Sequence, residues 1–171
     1  MENNFEGKLE HHLKDTILVQ PGSKKIKGFY VEKGLLRSYT IDDKGKEHIF
    51  MFAPEGWFIG DLEAVGFDKQ TELYIDCIED STVYMFNESQ LIRDDNRSPS
   101  EMAASIKGLI RRAGVLQRRV LMLMSSRAID RYQHFVATYP KLTQRVPQRM
   151  IASYLGITPE ALSKVRSEQL K

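Results

Sequence analysis

Cysteine is almost missing from this chain of 171 residues: Cys77 is the only one. An internal disulfide, a cysteine-rich zinc knuckle and a thiolate cluster are thereby excluded. Long apolar runs are missing too. Ile49 to Ala53 and Val120 to Met124 are among the longest, far short of the roughly 20 residues that cross a bilayer. A soluble protein with no membrane partner is expected. The opening segment MENNFEGKLEHHLKD lacks the apolar stretch of a secretory signal, which points to a cytoplasmic location. Histidines number 4, and His48 is the only one between Thr16 and Asn87. No His/Glu cluster stands at ligand spacing, so no metal and no cofactor is expected. His11 and His12 are adjacent, point apart on helix or strand, and read as solvated side chains in a mobile start. No Ser-His-Asp order or phosphate loop is visible, and catalysis is not expected. Cys77 falls in a strand pattern and reads as a buried, inert thiol.

Net charge is also small, at +2, but its distribution is uneven. Residues 1 to 98 carry 12 Lys/Arg against 19 Asp/Glu, and residues 99 to 171 carry 13 against 4. An acidic half of −7 precedes a basic half of +9. Such asymmetry fits a polyanionic partner for the second half. With 42% hydrophobic residues, the chain has enough apolar side chains for a real core, and extended disorder is excluded as its main state.

Seven of the 11 glycines fall between Gly22 and Gly66, punctuating short β-branched and aromatic segments. Strands are expected at Ile17 to Val19, Phe29 to Val31, Leu35 to Ile41, His48 to Phe52, Trp57 to Ile59, Leu73 to Ile78 and Val83 to Phe86. Asp42-Asp43-Lys44-Gly45 reads as a hairpin loop with Gly45 in the left-handed position. The expectation is an antiparallel roll or sandwich. At Ser98-Pro99 the period changes. Met102, Ile106, Leu109, Ala113, Leu116, Val120 and Leu123 are spaced alternately by four and three residues, an a/d seam along a helix of about 25 residues. That seam suits a parallel homodimer helix. Ser125-Ser126 then ends it and caps a second helix through Ile129, Tyr132, Phe135 and Val136, which stops at Tyr139-Pro140.

The most informative stretch is VPQRMIASYLGITPEALSKVRSEQLK, from Val146 onward. Pro147 suits the first turn of a helix that ends at Leu155-Gly156, and Thr158-Pro159 supplies the N-cap and first residue of another. Ala152 is small where two helices must touch, and Gly156 tolerates a tight turn. Ile151, Leu155, Ile157, Leu162 and Val165 supply a shared core. These requirements fall at helix-turn-helix spacing. On the second helix, Glu160, Ser163, Lys164 and Ser167 form a polar stripe opposite Leu162 and Val165. Each of these side chains can hydrogen-bond to base edges. Arg145, Gln148, Arg149, Thr158 and Arg166 flank the stripe as phosphate contacts.

The whole arrangement resembles the Crp/Fnr family of transcription regulators, and in particular the branch common in Bacteroidetes. The resemblance runs from about Leu13 to the end and is most specific at FYVEKGLLRSYTIDDKGKEHIFMFAPEGWFIGDLE and RVPQRMIASYLGITPEALSKVR. It implies an α+β architecture: an N-terminal antiparallel β-roll of the cyclic-nucleotide-binding, jelly-roll type over residues 1–97, a dimerisation helix over 98–124, and a helix-turn-helix domain over 125–171. It places Glu160 and Lys164 at base-touching positions. The implied partners are a palindromic double-stranded DNA site and a second copy of the chain, with a small-molecule effector and RNA polymerase as further candidates.

The sequence departs from the family pattern at three places. The Gly-Glu-Leu of the nucleotide pocket reads Gly60-Asp61-Leu62. The Arg-Ser or Arg-Ala pair that grips the cyclic phosphate is best matched by Thr71-Glu72, so the phosphate arginine is missing and a carboxylate stands nearby. The resemblance therefore implies a vestigial pocket at Phe58, Gly60, Asp61, Leu62, Thr71, Glu72 and Leu73 that senses neither cyclic AMP nor cyclic GMP. The sequence also stops at Lys171, directly after the recognition helix, without the β-hairpin wing of many relatives. Finally, Glu6 to Leu13 has room for only about two helical turns before the roll. A dimer that senses a ligand or binds protein, without reading DNA, is the competing expectation. Control is expected to act by respacing the two helix pairs, with Met124 to Arg127 as hinge.

Overall fold

The structure, a computed structural model, describes residues 7–25, 27–92 and 98–169. The chain divides into two compact units, residues 1–93 and 94–171. The expected boundary at 97/98 adjoins residues 93–97, which lie outside the described residues.

The first unit holds eight strands: β1 (Lys8–His12), β2 (Ile17–Val19), β3 (Lys27–Lys33), β4 (Leu35–Ile41), β5 (Glu47–Pro54), β6 (Phe58–Gly60), β7 (Tyr74–Cys77) and β8 (Ser81–Asn87). Short helices α1 (Leu62–Gly66) and α2 (Glu88–Ile92) complete it. Two four-stranded sheets run in the orders β1-β8-β3-β6 and β2-β7-β4-β5, and every pairing is antiparallel. The α+β roll architecture is thus present. A buried apolar cluster includes Val19, Phe29, Val31, Leu36, Ala53, Ile59, Ile75, Cys77 and Val83. The β4–β5 hairpin closes through Asp42, whose Oδ1 accepts the Lys44 and Lys46 amides at 3.0 and 2.9 Å. Gly45 has φ of +77° there, as the loop requires.

The short segment before the roll, with room for only about two helical turns, is extended instead: residues 8–12 form a strand paired with β8. Lys8, Glu10 and His12 share one face of it, and Glu10 contacts both neighbours at 3.0 and 3.1 Å. A period of two brings these three together, where a helix would turn Glu10 away from Lys8 and His12. His11 is likewise held, with Nδ1 3.0 Å from the Thr82 hydroxyl.

Beside the core, Arg37 of β4 is buried against its cross-strand neighbour Asp76. Its Nε and Nη2 donate to the two Asp76 oxygens at 2.8 and 2.9 Å, and Nη1 donates to Glu47 at 2.6 Å. The guanidinium lies 4.1 Å from the centroid of Tyr39, which stacks on Tyr74 at 5.1 Å. Burial, and then the Asp76 carboxylate, pushes the Tyr39 phenol up to about 12.

The second unit begins with α3 (Pro99–Ser125), 27 residues long, followed by α4 (Ala128–Thr138), α5 (Leu142–Arg145), α6 (Gln148–Leu155) and α7 (Pro159–Gln169). The stop at Tyr139 falls where Pro140 demands it. The expected serine cap of α4 is corrected. Arg127 occupies that position without a side-chain cap bond, while Ser125 Oγ donates back to the Leu121 carbonyl at 2.8 Å. Arg127 instead pairs with Asp130 at 3.0 Å. Among the described residues no helix is long and apolar enough to cross a membrane.

Candidate nucleic-acid interface and roll pocket

Helices α4, α6 and α7 pack around Tyr132, Phe135, Tyr139, Leu142, Ile151, Leu155, Leu162 and Val165, all buried. Phe135, Tyr139 and Tyr154 form an aromatic trio with centroids 5.4 to 6.0 Å apart. Burial and the neighbouring Tyr154 drive the Tyr139 phenol far above its ordinary value. Such rings place a large apolar area at few rotatable bonds, which fixes the angle between helices.

The turn between α6 and α7 is built from backbone chemistry. Gly156 sits in the left-handed region at φ +66°, a conformation that costs other residues energy. Its amide and that of Ile157 donate to the Ser153 and Ala152 carbonyls at 3.1 and 3.0 Å. Thr158 Oγ1 then accepts the Ala161 amide at 3.2 Å, capping α7, which starts at Pro159.

Leu162 and Val165 of α7 face inward, and Glu160, Ser163, Lys164 and Ser167 are all exposed. The four residues expected to meet bases thus share one solvent-facing side of α7. Two of them are engaged locally. The Glu160 carboxyl is held below the usual carboxylate range by its own backbone N–H and by the Thr158 hydroxyl, and Ser167 Oγ donates to the Lys164 carbonyl at 2.7 Å. Gln148 and Arg149 are exposed in the first turn of α6, Thr158 is exposed at the cap, and Arg145 and Arg166 are half-buried.

Along α3 the heptad positions Met102, Ile106, Leu109, Val120 and Leu123 are 41–54% exposed. Ala113 is exposed and Leu116 half-buried. Ile110, Leu121 and Met124 are exposed beside them, so the apolar face of the single chain is wider than the a/d seam read from sequence.

Sequence reading missed two residues here. Arg119, off the seam on α3, lies with its guanidinium 4.0 Å from the Tyr154 ring centroid and donates from Nη2 to the Tyr154 carbonyl at 3.0 Å. Arg131 of α4 donates from Nη1 to the Leu155 carbonyl at 2.8 Å. Periodicity places such arginines off an apolar face and says nothing of a carbonyl waiting 35 or 24 residues away.

In the roll, the expected pocket residues differ in burial and in their partners. Asp61 and Thr71 are buried, and Thr71 Oγ1 donates to Asp61 Oδ2 at 2.6 Å. Asp61 Oδ1 meanwhile accepts the Glu63 and Ala64 amides at 3.1 and 3.0 Å, as N-cap of α1. Gly60 packs so closely on β3 that a Cβ would lie 3.3 Å from Gly28 Cα. Phe58 lies against Phe86 at 5.9 Å, Leu73 is half-buried, and Leu62 is exposed. Glu72 follows Thr71 on the same loop. Its side chain is 77% exposed and 3.6 Å from Lys69 Nζ, which also contacts Glu63 at 2.7 Å. An open groove of about 690 Å³ lies beside this loop, lined by Pro21, Gly22, Thr40, Ile41, Lys69, Gln70, Thr71, Glu72 and Tyr74. It shares only Thr71 and Glu72 with the expected pocket. No group of three or more metal-ligating side chains occurs among the described residues. Burial pushes the Cys77 thiol up to about 11.

No family model and no curated protein matches the sequence. Solved structures do match in fold. FixK2 from Bradyrhizobium japonicum superposes with a TM-score of 0.71 at 22% identity, over 96% of this chain and 84% of FixK2. A CooA mutant from Carboxydothermus hydrogenoformans gives 0.73 at 18% identity, over 95% and 76%. A transcriptional regulator of the CRP/FNR family from Thermus thermophilus gives 0.68 at 16%, over 94% and 84%. At these identities the likeness establishes the fold.

Proposed function

We propose that this chain, whose fold is that of the Crp/Fnr regulators, is a DNA-binding transcriptional regulator of that family, cytoplasmic, and acting as a homodimer on a palindromic site. The single observation that carries the reading is α7. One side is buried in the helical core, and the other presents Glu160, Ser163, Lys164 and Ser167 to solvent behind a left-handed turn. Such a helix seats in a major groove, with Lys164 donating to guanine O6/N7 and the serines adapting to either edge. Arg149, Gln148 and Thr158 stand where phosphates flank that groove, and the basic half supplies the long-range attraction. The uncovered apolar face of α3 is the surface a second copy would bury, which sets two α7 helices about 34 Å apart.

The roll supports a regulator that does not respond to cyclic AMP or cyclic GMP. Lys69 is the only cation between residues 58 and 73, and two carboxylates engage it. Asp61 and Thr71 are closed on one another, so an entering anionic phosphate meets a carboxylate where it needs a guanidinium. Cys77, the one thiol, is buried and held protonated, which leaves it without redox or nucleophilic work. RNA polymerase and an effector seated in the open groove are secondary partners of the same reading.

The test is retention of fragments from the chain's own upstream DNA at a series of salt concentrations. Saturable binding that weakens steeply with salt is expected, with Lys164→Ala lowering affinity about tenfold at fixed salt. Binding by neither the protein nor its variant would turn the reading to the dimer that does not read DNA, and saturable cyclic AMP binding by calorimetry would overturn the account of the roll.

A further inference from the structure

The end of an α-helix leaves four backbone carbonyls without partners in the helix. In α6 these belong to Ala152, Ser153, Tyr154 and Leu155, and all four are satisfied. The turn itself supplies Gly156 and Ile157 amides to Ser153 and Ala152. The other two carbonyls are taken by guanidinium groups from different helices: Arg119 of α3 on Tyr154 at 3.0 Å and Arg131 of α4 on Leu155 at 2.8 Å. Both cations thus stand at the negative end of the α6 dipole, where a positive charge is favoured. Arg119 is fixed further by its stack on the Tyr154 ring, which a planar guanidinium makes and an ammonium does not.

A third contact comes from the same side of α3. Leu123 lies one turn beyond Arg119, and a Cβ built on Gly156 would stand 3.2 Å from Leu123 Cδ2 and 3.4 Å from Arg131 Nη1. The turn between α6 and α7 therefore lies close against the tips of Leu123 and Arg131, which leave a side chain at Gly156 little clearance. Swinging α4, α6 and α7 together about Met124 to Arg127 would break the Arg119 and Leu123 contacts and leave the Arg131 bond intact, so the expected hinge does not act alone.

We propose that Arg119 is a positioning residue: it fastens the end of α6 to α3, while Arg131 braces the same helix end from α4, so that the α3 axis sets where α7 is presented to DNA. The inference rests on the DNA-binding reading above and adds to it the link by which two α7 helices of a dimer keep a fixed separation. Neither arginine touches DNA in this account. Their effect reaches the duplex through the α6 C-terminus and the turn.

The test uses the full chain and the DNA site it selects from random sequence, with 1 bp inserted or removed between the half-sites. A rigid link makes the wild type discriminate between spacings, by about tenfold per base pair. In Arg119→Gln that penalty is expected to fall to about threefold or less, with the unaltered site still bound. Arg119→Lys, which keeps the charge without the stack, is expected to give an intermediate penalty, and it carries the test if Arg119→Gln does not fold. Arg111→Gln, exposed on α3, is expected to keep the full penalty. A residue that merely stabilises the fold lowers affinity for all spacings alike, so an unchanged penalty in Arg119→Gln and Arg119→Lys overturns this inference alone. Absence of saturable, salt-dependent binding by the wild type overturns the DNA reading and the inference with it.

Discussion

The two candidate sites of this chain differ in how far their polar groups are withdrawn from solvent. In the roll, the residues where a ligand would be expected satisfy one another: Asp61 caps α1 and accepts from Thr71, while Lys69 is held between Glu63 and Glu72. On α7, the stripe of Glu160, Ser163, Lys164 and Ser167 faces solvent while the opposite side is buried. A surface that binds must leave its donors and acceptors available in the free protein, because groups already paired gain little by exchanging partners. Asp61 and Thr71 are buried and closed on one another, whereas the α7 stripe is open to solvent.

The comparison is broken most strongly at the buried ion pair beside the roll core. Asp76→Ala leaves the Arg37 guanidinium, 7% exposed, without its main partner, and should destabilise the first unit by about 3 kcal/mol. Urea unfolding followed by the fluorescence of Trp57, the only tryptophan, reads it. Asp61→Ala removes the α1 cap and the Thr71 bond together, at a cost of about 2 kcal/mol. If the closure of the roll is structural, this variant loses stability without gaining affinity for cyclic nucleotides in calorimetry. Gained affinity would show that the clasp conceals a functional pocket.

Alkaline pH gives a smaller effect. Cys77 and Tyr39 titrate near 11 and 12 in the folded chain, above their ordinary values of 9.0 and 10.0. Groups raised on folding ionise first in the unfolded state, so their contribution is complete below pH 9 and is lost as pH rises toward 12. Stability should fall by about 1 to 2 kcal/mol between pH 8 and 10. A roll whose denaturant midpoint is flat across that range contradicts this burial. The smallest expected change is a gain. Ser38 is buried with no hydrogen-bond partner for its hydroxyl among the described residues. Ser38→Ala should therefore be neutral or stabilising by up to about 1 kcal/mol, measured in the same unfolding curves.

Much of the architecture was legible where local chemistry is decisive. The left-handed Gly156, the Thr158 cap, the stop before Pro140 and the Asp42–Gly45 loop each depend on a residue whose backbone or side-chain preference acts within a few positions. Strand β1 was not legible, because Lys8 to His12 carries little apolar pattern and forms a strand only when β8, far along the chain, offers an open edge. The partner of the Glu72 carboxylate was not legible for a related reason. Sequence puts it next to Thr71, and only the loop conformation turns it outward to Lys69.

The sequence alone determined which segments alternate and which follow the helical period, where the turns fall, and that positive charge gathers after Ser98. These are properties of neighbours along the chain and follow from propensity, capping and composition. Only the tertiary structure decided that the roll carboxylate of Asp61 is closed against Thr71, that α3 keeps a broad apolar face uncovered, and that Arg119 and Arg131 complete the end of α6. Each of these joins groups 10 or more residues apart or depends on what fails to cover a surface. The physical reason is common to all: a donor or an apolar stripe in a sequence names what must be satisfied, and the packed chain selects the partner.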